Sequence, residues 1–255
     1  MKRLLIGDKC EELLSTLEVI LRHWGYRVLV SSRPAQLVEL LRETSPDLLI
    51  MGARLLMEPD SSLTRAVNRH VNEGNRPLIV LQEGQTALPI AVPHETLGVP
   101  PDLFSLFSLI QKHLEKHPRR NLRLAIHLPG MLCTGESCHL AEVLSLSTNG
   151  LFVKTGFRPA KDALLRVVIP LMGMQQELEL DGRILYRVEP GPDNNYFQGI
   201  GIEFADLGKE SRLALQAFLE HRFIGDLATR PGGEKLRIAS TKAKEGEITL
   251  RLDPA

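Results

Sequence analysis

Apolar positions in the first part of the chain come in two alternating patterns. Short continuous runs, Leu4-Leu5-Ile6, Arg27-Val28-Leu29-Val30, Asp47-Leu48-Leu49-Ile50-Met51 and Leu78-Ile79-Val80-Leu81, read as buried strands. Between them apolar residues recur at three and four, the period of an amphipathic helix. Leu13, Leu14, Leu17, Ile20, Leu21 and Trp24 make the first such stripe, and Gly25 stops it. Ser32 is expected to cap a second helix, with Pro34 in its first turn and Leu37, Val38, Leu40 and Leu41 inward. Leu63, Ala66, Val67, His70 and Val71 mark a third. A weak strand is expected at Ile90-Ala91-Val92, before a closing helix carrying Leu103, Leu106, Phe107, Ile110 and Leu114. Strands alternating with helices predict right-handed crossovers and a parallel sheet covered on both faces, a (βα)5 α/β domain.

Near residue 118 the pattern changes. Arg123 to Leu132 and His139 to Leu146 alternate around the turn Thr134-Gly135-Glu136-Ser137. Further strand-like segments follow at 151–154, 164–169, 175–185 and 199–204. Several short strands between turn residues predict a small antiparallel β-barrel. Ser211 to Phe223 reads as a C-terminal helix with Leu215, Phe218 and Leu219 on one face. Residues 226–255 are rich in Gly, Lys and Glu and read as a tail, although Glu247 to Leu252 alternates enough for a strand. The expected domains are therefore 1–117 and 118–225, followed by the tail.

Charge and cysteine content narrow the function. The 255 residues carry 31 Lys and Arg against 31 Asp and Glu. A net charge of zero argues against a broad footprint for DNA. No apolar run approaches the roughly 18–20 residues of a membrane span, and Asp8 and Lys9 interrupt the start too early for a signal peptide. Three cysteines imply no disulfide framework. These features predict a soluble, reduced, cytoplasmic protein without membrane insertion. Cys133 and Cys138, expected to face each other across a hairpin, stand with His139 but without a second ligand pair, so no metal site is expected. His94 beside Glu95 lacks a nucleophile motif, and Gly199-x-Gly201 lacks the third glycine of a dinucleotide fingerprint. No catalytic motif is present, so the chain is not expected to be an enzyme and no cofactor is implied.

The alternating order of strands and helices, with Ser45-Pro46-Asp47-Leu48-Leu49-Ile50-Met51-Gly52, resembles a response-regulator receiver. Such domains accept a phosphoryl group on an Asp after the third strand, beside an acidic pair that holds Mg²⁺. The chemistry needs a carboxylate nucleophile, oxygen ligands for a hard cation and donors for the developing charge. Position by position, the acidic pair falls on Gly7 and Asp8, the phosphoacceptor on Gly52, the Thr on Gln82 and the Lys-Pro step on Val99-Pro100. Four of five functional positions are absent, so the resemblance implies a pseudo-receiver kept for docking or dimerisation. Glu58 and Asp60 lie beyond the strand end and are poor substitutes for the acceptor.

Two further motifs coincide in the second part. Pro118-Arg119-Arg120-Asn121-Leu122-Arg123 contains R-x-x-x-R. Ser145-Leu146-Ser147-Thr148-Asn149-Gly150 stands some twenty residues on. Together they resemble the PilZ domain, whose pattern is R-x-x-x-R followed by [D/N]-x-S-x-x-G, and which binds cyclic di-GMP. The resemblance implies that Arg119, Arg120 and Arg123 hold the phosphates and stack, while Ser145, Ser147 and Gly150 line the guanine side. Arg forks suit phosphate oxygens and guanine O6/N7 alike. Ser145 departs from the pattern, because a hydroxyl cannot accept from guanine N1–H and N2–H together as a carboxylate does.

Two main readings follow, beside a third, a phosphorylation-dependent regulator, that Gly52 argues against. The first is a non-enzymatic signalling effector that binds cyclic di-GMP and changes interdomain or partner contacts. The second is a PilZ-like interaction adaptor that binds no nucleotide, which Ser145 favours. Either implies a protein partner that the sequence does not identify. The apolar last helix of the first domain would also allow a homodimer.

Overall fold

A computed structural model of the chain describes residues 1–57, 61–84, 88, 90–160 and 163–229. Its described residues divide into two compact units, residues 1–120 with 224–229, and Asn121–Phe223.

The first unit is built on a parallel sheet of five strands in the order β2-β1-β3-β4-β5. They are β1 (Arg3–Gly7), β2 (Arg27–Ser31), β3 (Leu48–Gly52), β4 (Leu78–Gln82) and β5 (Glu95–Gly98). Its helices are α1 (Glu11–His23), α2 (Pro34–Thr44), α3 (Ser62–Gly74) and α4 (Leu103–Leu114). Side chains alternate across a strand, so each central strand feeds two cores. Leu4, Ile6, Leu48, Ile50, Ile79 and Leu81 pack with α1 and α4. Leu5, Leu49, Met51, Leu78 and Val80 pack with α2 and α3. This is why the central strands read as unbroken apolar runs.

Three local expectations are corrected in this unit. Arg33, not Ser32, is the N-cap of α2, and its N–H donates to the buried Ser31 Oγ at 3.0 Å. Ser32 instead donates to Glu11 at 3.1 Å. The fifth strand is Glu95–Gly98 rather than Ile90–Val92. As an edge strand it buries only Leu97, whereas Ile90 and Val92 join the core beneath α2 and α3 without pairing. Among the described residues no helix stands between β4 and β5. Glu58, Asp60 and the alternating 247–252 segment lie outside the described residues.

The second unit is a closed barrel in the order β10-β11-β8-β7-β6-β9. Its strands are β6 (Arg123–Thr134), β7 (Ser137–Ser147), β8 (Gly150–Lys154), β9 (Leu164–Leu171), β10 (Gln176–Val188) and β11 (Gly199–Phe204). The helix α5 (Lys209–Ala228) follows and runs five residues past the predicted end. Leu124, Ile126, Leu128, Val143, Leu146, Leu151, Val153, Ile200 and Ile202 are buried in the alternating phase of their strands. The β6–β7 hairpin turns on Gly135 and Glu136, with Gly135 at φ +57, a left-handed conformation that costs glycine little. Thr134 and Ser137 pair at the ends of this four-residue turn, as expected. The register sets Cys133 directly opposite Cys138, and the two form a disulfide. This corrects the expectation of reduced cysteines: no multi-bridge framework is needed when one hairpin aligns its own pair. Cys10 is free and exposed.

Candidate functional site

At the mouth of the first sheet, the receiver-like position has been filled by other groups. Asp8 follows β1 and accepts from the Cys10 N–H at 2.8 Å. Its carboxyl reaches over Gly52 at the end of β3. A Cβ on Gly52 would overlap Asp8 Oδ2 and stand 2.8 Å from its Cγ. The acceptor position therefore has no side chain, and one could enter only if the Asp8 carboxyl turned aside. Burial pushes the Asp8 carboxyl above its ordinary range, opposed by the Cys10 N–H and the Arg54 guanidinium. Arg54 is itself paired with Glu83 at 2.7 Å. Gln82 ends β4 and Val99-Pro100 follows β5, as the sequence placed them. Among the described residues no cluster of three metal-binding side chains occurs.

The barrel gathers the second set of residues. Antiparallel registers pair Arg123 with Ser147, Ser147 with Gly150, and Gly150 with Glu203. These pairs form one row across β6, β7, β8 and β11, which Arg183 of β10 extends. The next row runs Ala125, Ser145, Phe152, Gly201 and Tyr186. Facing residues in antiparallel pairs share a side of the sheet, so both rows lie on the outer surface. A bulge between Val143 and Ser145 sets this phase; without it Ser145 would fall in the inward phase. Four residues separated by up to 27 positions thus meet on one face.

Each has a distinct environment. Arg123 is exposed at the start of β6. Ser145 is half-buried, with no hydrogen-bond partner among the described residues, leaving its hydroxyl available. Ser147 is buried, and its Oγ donates to the Gly150 carbonyl at 3.0 Å while accepting weakly from Asn149 N at 3.4 Å. A serine hydroxyl has one hydrogen to give. Toward a ligand, Ser147 as arranged here is an acceptor only. Gly150 answers a packing need: a Cβ there would collide with the Ile202 carbonyl oxygen and lie 3.2 Å from Glu203 Cα. Arg119 and Arg120 are exposed and fall in the first unit, on the stretch after α4. The Arg119 N–H donates to Gln111 Oε1 at 3.1 Å, and Lys112 and His113 in the last turn of that helix bind Glu95.

The sequence reading missed the aromatic part of this face. Phe152 stacks on Tyr186 with centroids 6.0 Å apart and on Phe197 at 5.7 Å. Phe152 occupies the outward phase of β8, and the Gly199-x-Gly201 alternation on β11 was the available signal. The row below is edged by the Arg183–Glu203 pair at 2.7 Å. A groove lies elsewhere, in the first unit between α2 and α3. It holds about 490 Å³ and is edged by Arg42, Arg65, Arg69 and Arg76.

Residues 116–221 match the family model described as the PilZ domain, and this part of the chain is a PilZ domain. A comparison with curated proteins finds no match. Among solved structures, the chain is similar to the inhibitor of motility of Bacillus subtilis, at 17% identity and TM-score 0.38, over 45% of this chain and 53% of that one. It is similar to the MrkH–c-di-GMP complex of K. pneumonia at 16% identity and TM-score 0.40, over 45% and 56%. It is also similar to the chemotaxis protein CheY4 of Vibrio cholerae at 15% identity and TM-score 0.37, over 45% and 99%. The chain thus spans little more than half the length of the first two. No helix among the described residues is long and apolar enough to cross a membrane.

Proposed function

We propose that the protein is a non-enzymatic signalling effector that binds cyclic di-GMP on the outer face of its barrel. It passes the signal on through changed interdomain or partner contacts. The observation that carries this reading is the strand register that sets Arg123, Ser145, Ser147 and Gly150 side by side within a PilZ domain. Arg119, Arg120 and Arg123 supply guanidinium forks for the two phosphates and a planar surface for a purine. Ser145 offers one hydroxyl to a guanine edge, and Ser147 accepts. Gly150 keeps β8 close to β11 so that the row stays continuous. The pseudo-receiver contributes a docking surface rather than phosphoryl chemistry, because Gly52 carries no nucleophile.

The adaptor reading rests on Ser145. Losing a bidentate base contact costs about 1–3 kcal/mol, roughly five- to more than a hundredfold in affinity. Calorimetric titration of cyclic di-GMP into the full chain decides between the two. Saturable binding is expected, abolished in an Arg119→Ala/Arg123→Ala variant that keeps its circular dichroism. Silence in the wild type up to high micromolar ligand would leave the adaptor reading in place.

A further inference from the structure

The outer face of the barrel carries more than the motif accounts for. Phe152 is paired with Ser145 on one side and with Gly201 on the other. The Tyr186 ring lies over Gly201, where a Cβ would stand 2.5 Å from the ring Cζ. The Phe152 ring lies over Gly199, where a Cβ would stand 2.5 Å from its Cζ. The two glycines let both rings settle against the strands, and their planes differ by only 19°. Covering strand glycines with aromatic rings is a known device of β-sheets and accounts for the contact itself. It does not account for the placement. Tyr186 keeps 48% of its surface exposed, in the same row as the unpartnered Ser145 hydroxyl.

We propose, resting on the cyclic di-GMP reading above, that Phe152 and Tyr186 are the stacking surface for one guanine of the ligand. A base laid on these rings has its edge toward Ser145, which neighbours Phe152 on the next strand and stands three strands from Tyr186. Its phosphates then point along the adjacent row, where Arg123 stands opposite Ser147. Losing an aromatic stacking partner costs a base about five- to a hundredfold in affinity. That is the same size as the loss of a bidentate base-edge contact. The aromatic surface therefore offsets the carboxylate or amide that position 145 lacks, and shifts base recognition from edge pairing to stacking. Stacking tolerates any purine, so discrimination against cyclic di-AMP is weak at this subsite.

The test is calorimetric titration of cyclic di-GMP, then cyclic di-AMP, into the full chain and three variants at one stated salt concentration. Tyr186→Phe keeps the ring and is expected to bind within about twofold of wild type. Tyr186→Leu keeps an apolar cover on Gly201, so its melting temperature stays near wild type while its affinity falls at least fivefold. Arg119→Ala/Arg123→Ala abolishes binding. If Tyr186→Leu binds as the wild type does while the arginine variant fails, the stacking proposal is overturned and the effector reading stands. If the wild type binds neither nucleotide, both fall together.

Discussion

Gly150 illustrates how one residue type answers two different demands. In the motif it marks a ligand site; in the barrel it is the only side chain that lets β8 approach Ile202. Gly150→Ala is therefore expected to destabilise the barrel by about 1–3 kcal/mol, read as a lowered urea midpoint. A loss of ligand binding in that variant reports packing, not contact. Ser147 is similar, because its only hydrogen is committed to the Gly150 carbonyl. Ser145 is different, since its hydroxyl is unspent, and a substitution there tests the proposed base-edge contact without disturbing a bond the fold uses.

At the scale of elements, the start of β3 is held by charge. Asp47 accepts from the Arg3 N–H of β1 at 2.9 Å and pairs with Arg76 at 3.2 Å and Lys2 at 3.7 Å. Burial works to raise its carboxyl, but the Arg3 N–H and the two cations outweigh it and hold it below the ordinary range. A carboxylate lowered in the folded state stabilises above its unfolded value, near 4, and that stability is lost as pH falls through the folded value. Asp47→Asn is expected to cost about 1 kcal/mol at pH 7 and less as the pH falls toward 2. Denaturant titrations of both proteins at the two pH values would measure this, and an equal cost at both would contradict it. The same elements show what the sequence could convey. The central strands were legible because each buries both faces, and helices α1 and α4 because their stripes are long. The edge strand β5 was not, since Leu97 is its only buried side chain and Ile90 and Val92 mimic a strand nearby. The candidate site residues of β6 to β8 stood out in the sequence as a motif, and the strand registers bring them together. Their neighbour Tyr186 did not stand out, because β10 meets β11 only through a register shift between Ile184 and Tyr186 that no local pattern announces.

For the whole molecule, two units with separate cores carry separate reporters. Trp24 is the sole tryptophan, lies in the first unit and packs edge-on against Phe107 at 5.1 Å. Its fluorescence follows that unit alone, whereas far-ultraviolet circular dichroism follows both. Thermal or urea unfolding is expected to give non-coincident transitions by the two probes. Saturating cyclic di-GMP should raise the barrel's transition, by about 2.7 kcal/mol at a hundredfold excess over Kd, while the Trp24 transition moves less. Equal shifts in both would mean that the units unfold as one. The filled mouth of the first sheet has a consequence for redesign as well. Gly52→Asp by itself would drive a second carboxyl against the Asp8 carboxyl, so installing an acceptor on this sheet means rebuilding position 8 together with position 52.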